Sequence, residues 1–289
     1  MPVRTRAKAS SPDVKLAPLP TEVQREIMRL AGVIEPGCMP KMMLASKKVR
    51  DWVEPWIYRV LRIDSVSPES LLFQELLDGK KRNKTTTAER SWTPFRVHTL
   101  QIAFIGQIRP DLVEKVLSIC VAATDTAFFD LPFSLNPTIT PLLESRPLRR
   151  LTVQFKDLFP SDQSLRVDFT QPLFASITHM NMLDAFATGY QNCERIGRMP
   201  ALTHIAFREQ AGSNNFCRIL LADCPLLQML VIISSEESLS MYYKDARAPF
   251  TEDKRLVQLV LKDPADDWVR GTLGEDDVWT RAAAIIRQR

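Results

Sequence analysis

Three histidines and five cysteines are the residues of this sequence that could bind a metal ion or act as nucleophiles. No two of the cysteines are spaced as C-x-x-C, so we expect reduced thiols rather than a zinc knuckle or a disulfide framework. The histidines are far apart, and no acidic residue stands at a metal-binding spacing from them. The sequence therefore predicts no metal site. The residues concerned are Cys38, Cys120, Cys193, Cys217, Cys224, His98, His179 and His204.

Motifs of the common catalytic families are missing as well. The sequence has no G-x-S-x-G elbow, no Walker phosphate loop and no H-E-x-x-H pair. It holds only nine glycines among 289 residues, which disfavours a glycine-rich nucleotide cradle. We therefore expect a protein that is not an enzyme and needs no cofactor.

Composition indicates an ordinary globular chain, with 45% hydrophobic and 25% charged residues. No apolar run is long enough to cross a membrane and no signal peptide is apparent, so we expect the cytoplasm or the nucleus and no membrane partner. A net charge of +4 is too small to indicate nucleic acid, which stays a weaker alternative. Positive charge gathers in residues 1–17, predicted to be disordered, and at 80–84, interpreted as a solvated loop or, alternatively, a nuclear-localisation patch.

The elements that precede residue 62 are predicted to be helical. Val23, Ile27 and Leu30 recur at the spacing of one helix face, and the first helix is expected to stop at Gly32. A second helix can open at Pro40, because a first-turn proline loses no hydrogen bond. Pro55 predicts a break in the following apolar helix.

This block resembles the F-box, a helical module that opens on Leu-Pro-x-Glu and carries a Ser-Lys element in a later helix. The resemblance covers about 45 residues and includes the tail Pro55-Trp56-Ile57-Tyr58-Arg59. Met42 and Met43 depart from the family, which more often has leucine-like residues there. The residues that match the family pattern are Leu19, Pro20, Glu22, Val23, Ile27, Leu44, Ser46, Val49 and Trp52.

The F-box resemblance implies a role for these residues. They would bind a Skp-type adaptor, which connects the protein to a cullin-RING (SCF-type) ubiquitin ligase, and the protein would be the substrate-receptor subunit for protein degradation. An alternative is a non-catalytic repeat scaffold or inhibitor with no ubiquitin-ligase role. In that alternative the N-terminal helices cap the repeats and bury Val23, Ile27, Val49 and Trp52.

After residue 95 short apolar-alternating segments recur. Five of them fit L-x-x-L-x-L with apolar substitutions, and the one at 174–180 is less regular. Their middle residues from Leu151 onward recur at roughly the 20- to 29-residue period of leucine-rich repeats. A further strand is expected near 127–131, where one period is skipped. The segments lie at 97–102, 148–153, 174–180, 202–207, 227–232 and 256–261.

The predicted fold class is α/β, with an all-helical F-box followed by an irregular leucine-rich-repeat-like solenoid of parallel strands. The Asn or Cys that regular leucine-rich repeats place after the strand is missing, so independent strands in a mixed α/β domain stay an alternative. The predicted segments are a disordered basic N-terminus (1–17), the F-box (18–62), a linker with a basic loop (63–95), the repeat domain (96–265) and a C-terminal cap (266–289).

Strand alternation predicts which side chains of the repeat domain are exposed, because successive residues of a strand point to opposite faces. Leu151 and Val153 are expected to face inward. The opposite, concave face is the candidate surface for an unknown target protein. Its predicted members are Thr99, Gln101, Arg150, Thr152, Gln154, His204 and Arg208.

Overall fold

The computed structural model describes residues 19–77, 85–131, 138–158, 167–183, 195–208, 213–234 and 252–289. The predicted disordered segment 1–17 and the basic residues 80–84 lie outside these ranges. The chain divides into two compact units, residues 1–53 and 54–289, and the division falls within a helix rather than at the predicted boundary after residue 62.

The regular elements of unit 1 are all helical in the residues that the structure describes. Its elements are α1 (Thr21–Ile34), a 3₁₀ turn (Pro36–Cys38), α2 (Met39–Met42) and α3 (Lys47–Ile57), which continues across the division. Proline stands in the first turn of α2, as its position in the sequence predicts.

Two predicted helix ends in this block are wrong. Gly32 does not stop α1, which continues to Ile34. Gly32 is buried, and a Cβ there would come within 2.6 Å of the end of the flexible Met39 side chain, so a larger residue would require that side chain to move. Pro55 lies inside α3 without ending it. Because Pro55 is in the last turn, it removes a single N–H donor and the helix tolerates the loss.

Unit 2 is built on an eight-stranded, all-parallel open sheet in which the strands follow one another in sequence order. The strands are β1 (Val60–Ile63), β2 (Gln101–Ile105), β3 (Asp125–Phe129), β4 (Arg150–Val153), β5 (His179–Met182), β6 (His204–Arg208), β7 (Met229–Ser234) and β8 (Leu256–Val260). β3 is the strand expected near 127–131. β1 was not predicted, because its residues were assigned to the end of the helical block.

Helices cover one face of this sheet, which we call the outer face. Alternate strand residues such as Ile102, Phe104 and Phe128 are fully buried there against helix residues such as Leu112 and Leu117. The helices between strands are α4 (Pro68–Leu77), α5 (Thr85–His98), α6 (Pro110–Ile119), α7 (Ile139–Glu144), α8 (Phe155–Leu158) and α9 (Ser213–Asp223). α4 and most of α5 occupy residues 63–95, the segment predicted to be a linker with a basic loop.

The same backbone arrangement repeats where successive strands begin. The carbonyl of Thr178, for example, accepts the N–H groups of both Thr203 and His204, at 3.0 and 2.9 Å. Equivalent carbonyls at Leu100 and Arg149 each accept two N–H groups from the next strand. Strands β2 to β7 therefore each enter the sheet in the same register as the strand before, whereas β8 begins opposite Leu230, one residue after the start of β7.

Two further helices lie on the opposite face of the sheet, which we call the inner face. α10 (Pro264–Thr272) packs Ala265 and Trp268 against a group that includes Ala103 and Ala127. α11 (Val278–Gln288) packs against β7 and β8. Residues 266–289, predicted to be a cap for the repeats, thus cover part of the face predicted to be exposed.

Candidate functional site

The α1 helix of unit 1 turns an aliphatic strip outward. Val23, Ile27, Leu30 and Ile34 follow the i, i+4, i+7, i+11 spacing of one helix face. They expose 44%, 46%, 45% and 83% of their surface, whereas Gly32 on another side of the helix is buried. We call these four residues the α1 strip. An outward aliphatic face of this length is the kind of surface that a second protein covers.

The other residues that match the F-box pattern lie around unit 1. Leu19 and Leu44 are exposed apolar side chains, at 52% and 80%. Ser46 directly precedes α3, and its Oγ accepts the Val49 N–H at 3.1 Å. Trp52 is half-buried, and the Lys48 ammonium lies 4.9 Å from its ring centroid. The remaining members are Pro20 and Glu22, which are exposed, and Val49, which is half-buried.

In unit 2, five polar side chains form a row across five adjacent strands of the inner face. Parallel pairing places them in one register, with each residue opposite the next. Their order is set by the order of the strands, because the sheet has no crossover that skips a neighbour. We call this set the inner row, and its members are Gln101, Asp125, Arg150, His179 and His204.

The two histidines of the inner row are stacked, and each is hydrogen-bonded to the threonine before it. Their ring centroids are 4.0 Å apart and the rings are nearly parallel, at 7°. The Thr178 hydroxyl lies 2.9 Å from His179 Nδ1 and 3.1 Å from the Arg149 carbonyl. Thr203 and His204 repeat this arrangement, at 2.8 and 3.1 Å. Both rings are therefore held in the same orientation through Nδ1.

The C-terminal helix pair, α10 and α11, contacts the inner row through two tryptophans. The Trp268 indole N–H donates to Asp125 Oδ1 at 3.2 Å. The Trp279 ring stands edge-on to both histidines, with centroids 5.2 Å from His179 and 5.8 Å from His204. Both tryptophans thus contact inner-row side chains.

Carboxylates of the helix pair add two further contacts. Asp277 lies 3.8 Å from the Arg150 guanidinium of the inner row. Asp267 is 2% exposed, accepts the Val278 N–H at 2.8 Å and forms an ion pair with Arg281. Asp267 therefore joins α10 to α11, and the two helices form one body.

Burial sets the protonation of the inner row. It raises the pKa of Asp125 to about 6, a shift that the Arg150 charge and the Trp268 and Gln101 hydrogen bonds oppose. Burial, with smaller contributions from the neighbouring His204 and Arg150, lowers the pKa of His179 to about 3. The pKa of His204 is lowered by burial and by Arg150. Both histidines are consequently neutral near pH 7.

The inner face beneath the helix pair contains buried polar atoms that have no hydrogen-bond partner among the described residues. Asn181 is 7% exposed, and its Oδ1, like the Gln101 Oε1, is buried without a hydrogen-bond partner in the described part of the chain. Both side chains line a cavity of about 20 Å³ that also borders Asp125 and Trp268. This volume is sufficient for a single water molecule.

The predicted target-binding residues occupy different environments. Gln101, Arg150 and His204 belong to the inner row and are half-buried, and Gln154 is also half-buried, just after β4. Arg208 is exposed at the end of β6. The predicted exposure of Thr99 and Thr152 is wrong, since they are 0% and 5% exposed.

Thr99 is buried because its hydroxyl donates to the Tyr58 carbonyl at 2.9 Å, which joins the approach to β2 to the residues before β1. Sequence reasoning also missed Asp125, Asn181 and the seating of the two tryptophans. One usable signal was present, since the dipeptides Thr178-His179 and Thr203-His204 stand at equivalent positions of neighbouring strands.

No protein-family model and no curated protein matches this chain. Across the described residues, no three His, Cys, Asp or Glu side chains are grouped so that they could hold a metal ion. None of the helices in those ranges is long and apolar enough to cross a membrane. The inner row can instead accept an N–H group at Asp125, pair a carboxylate with Arg150 and contact an aromatic ring through the histidines.

Replacing Asp125 with asparagine is expected to stabilise unit 2 by about 1–3 kcal/mol at pH 7.5. The ionised carboxylate is disfavoured at this buried position, and an amide oxygen still accepts the Trp268 N–H. A raised folded-state pKa means that the penalty is complete above pH 6 and fades toward pH 4, so the gain should shrink over that range. Urea unfolding curves, followed by circular dichroism, measure this gain in stability over that pH range.

Asp130→Asn is the matched control, because Asp130 is exposed just after the same strand. We expect it to change stability by less than about 0.5 kcal/mol. A loss of stability in Asp125→Asn at pH 7.5 would show that the attraction between Asp125 and Arg150 outweighs burial.

Proposed function

We propose that this protein is a substrate-receptor subunit of an SCF-type cullin-RING ubiquitin ligase. Its N-terminal helices would bind a Skp-type adaptor, and through it a cullin, while unit 2 binds a target protein. The outward α1 strip carries the proposal. An aliphatic helix face exposed to water costs free energy in the isolated protein, and a partner that covers it recovers that free energy.

The strip agrees with the family resemblance in position and in chemistry. Val23 and Ile27 belong both to the F-box pattern and to the exposed strip. Leu19 and Leu44, which also match the pattern, are exposed apolar side chains of the same unit. These four residues are therefore available to an adaptor without any rearrangement of unit 1.

The architecture of unit 2 supports the second half of the proposal. We propose that its sheet is an irregular leucine-rich-repeat-like solenoid, in which each strand and its helix form one repeat. Sequential parallel strands and the repeated two-donor carbonyls at strand entry support this description. Threonine hydroxyls directly before the strands, such as those of Thr178 and Thr203, add a bond between consecutive turns.

A receptor of this kind contributes proximity. It holds a target lysine near the ubiquitin-conjugating enzyme and so raises the effective concentration of the reactants. The proposal therefore assigns no catalytic residue and no cofactor to this chain. It places the protein in the cytoplasm or the nucleus, where such ligases act.

The scaffold alternative makes a different prediction for the N-terminal helices. It requires Val23, Ile27, Val49 and Trp52 to be buried against the repeats, whereas the receptor requires Val23 and Ile27 to contact an adaptor. Adaptor capture that depends on the α1 strip therefore distinguishes the two hypotheses.

Replacing Ile27 with aspartate is expected to weaken capture of a Skp-type adaptor by about 100-fold, because a charge in an apolar interface must be desolvated without a partner. Since Ile27 is 46% exposed, the fold should be retained. Co-purification and titration calorimetry with purified adaptor measure the loss. The double variant Leu19→Ala/Pro20→Ala should weaken capture in the same direction.

Leu226→Asp is the matched control, because Leu226 is 52% exposed but lies in unit 2. It should leave adaptor capture unchanged. If the wild-type protein captures no adaptor, or if Ile27→Asp captures it as well as the wild type does, the ligase proposal is wrong.

A further inference from the structure

The C-terminal helix pair places a tryptophan on the inner face at two positions, and each follows acidic residues in the sequence. Trp268 follows Asp266 and Asp267, and Trp279 follows Asp276 and Asp277 by two or three residues. At the first position the indole reaches Asp125, while Asp267 pairs with Arg281 of the helix pair itself. At the second position the indole contacts the histidines and the Asp277 carboxylate faces Arg150. The inner row thus binds two tryptophans and one carboxylate, that of Asp277.

The inner face beneath the helix pair is polar, and some of its polar atoms have no hydrogen-bond partner among the described residues. Covering it buries the Asp125 carboxylate and leaves Asn181 Oδ1 and Gln101 Oε1 without partners among the described residues. Such groups lose hydration when covered and recover it when uncovered. The outer face of the same sheet is packed mainly with apolar side chains and buries one such oxygen, Thr126 Oγ1. The contact between the inner row and the helix pair therefore covers polar groups whose hydration is recovered when the helix pair leaves.

We propose that the inner face is a docking site for an acidic, tryptophan-bearing peptide segment, which the chain's own helix pair occupies until a partner segment of the same chemistry displaces it. Asp125 receives the indole N–H, the stacked histidines receive an aromatic edge, and Arg150 receives a carboxylate. The proposal of a docking site rests on these contacts alone. That the displacing partner is a ubiquitination target rests on the proposed function.

Displacement requires that α10 and α11 leave together. Asp267 ties them through the Val278 N–H and the Arg281 guanidinium. Leu261–Asp263 link the pair to β8, and Lys262 and Asp263 in this link are exposed. α11 also packs Val278 and Ala282 against β7 and β8, which favours the closed state until a competing segment is present.

Hydrogen exchange of the full chain tests whether the pair opens separately from the sheet. We expect the double variant Trp268→Leu/Trp279→Leu to exchange the amides of α10 and α11 at least tenfold faster than the wild type, with β3 to β5 unchanged. The single variant Trp268→Leu should show a smaller effect of the same kind. If the strand amides lose as much protection as the helices in both variants, the pair is inseparable from the fold and the proposal is wrong.

A peptide of residues 262–289 labelled with fluorescein tests the docking site itself. It should bind the full-length double variant at least tenfold more tightly than the wild type, whose attached segment competes at an effective concentration in the millimolar range. A matched peptide with leucine in place of both tryptophans should bind neither protein. Equal binding of the labelled peptide to both proteins would overturn the proposal, as would binding of the leucine peptide.

Adaptor capture and peptide binding test two proposals, and either proposal can fail while the other holds. Ile27→Asp should bind the labelled peptide as the wild type does, because Ile27 belongs to unit 1. If adaptor capture is absent and peptide exchange is present, only the ligase role falls. If capture is present and exchange is absent, only the docking site falls.

Discussion

Replacing His179 with asparagine is expected to reduce the acid sensitivity of unit 2 by about 3 kcal/mol between pH 8 and pH 4.5. Burial lowers the pKa of His179 to about 3 in the folded protein, against about 6.5 in an unfolded chain. Between these values the unfolded chain binds a proton that the folded protein cannot accept. The stability contributed by neutral His179 is therefore present above pH 6.5 and is lost as the pH falls toward 3, at about 1.4 kcal/mol per pH unit.

The measurement is a series of urea unfolding curves at different pH values, with the wild type and the variant compared at each. The difference in unfolding free energy between the two proteins isolates the contribution of His179. An asparagine amide can partly replace the hydrogen bond between His179 Nδ1 and the Thr178 hydroxyl. The experiment is sharpest in the Asp125→Asn background, because protonation of Asp125 below pH 6 works in the opposite direction. His98→Asn, which lies outside the inner row, is the control. Parallel curves for wild type and His179→Asn would contradict the assignment.

Replacing Asp267 with alanine is expected to destabilise unit 2 by about 3 kcal/mol. The substitution leaves the buried Val278 N–H without an acceptor and removes the ion-pair partner of Arg281. Because burial raises the pKa of Asp267, the loss should lie at the lower end of the range for buried ion pairs. Asp267→Asn should cost less, since its amide oxygen can still accept the Val278 N–H.

Asp266→Ala is the matched control on the same helix. Its side chain is 63% exposed and pairs with Arg270 at 3.3 Å, an interaction worth only a few tenths of a kcal/mol on a helix surface. Urea unfolding at pH 7.5 compares the three variants. Equal losses in Asp266→Ala and Asp267→Ala would show that Asp267 does not join the two helices.

Local patterns were sufficient to predict most of the strands. Alternation over four or five residues fixes which side chains face the apolar layer, and Leu151 and Val153 are buried there. β1 escaped prediction because Val60 to Ile63 directly follow a helix, and a four-residue strand is too short to show a period of its own. The α1 strip was visible for the opposite reason, since its spacing extends over three helical turns.

Strand alternation predicted three members of the inner row, Gln101, Arg150 and His204, for one face of the sheet. Asp125 and His179 were missed, because the members come from five strands and meet only through parallel pairing. Nothing near Asp125 in the sequence indicates that it lies beside Arg150 and beneath Trp268. Burial, which raises the pKa of this carboxyl, is a property of the covered sheet and of no local pattern. The Thr178-His179 and Thr203-His204 pairs hinted at a common register without indicating what covers them.

The sequence by itself therefore determined the helical block at the start, the parallel strands after it and the aliphatic face of α1, since each follows from side-chain periodicity within one element. Only the tertiary structure decided that the final two helices lie on the inner face rather than at the end of the strand series. Their apolar residues Val278 and Ala282 specify that the helix must be covered, but no local spacing specifies by which surface. That choice depends on β7 and β8 presenting a matching apolar patch and on Asp125 and the histidines accepting the two tryptophans.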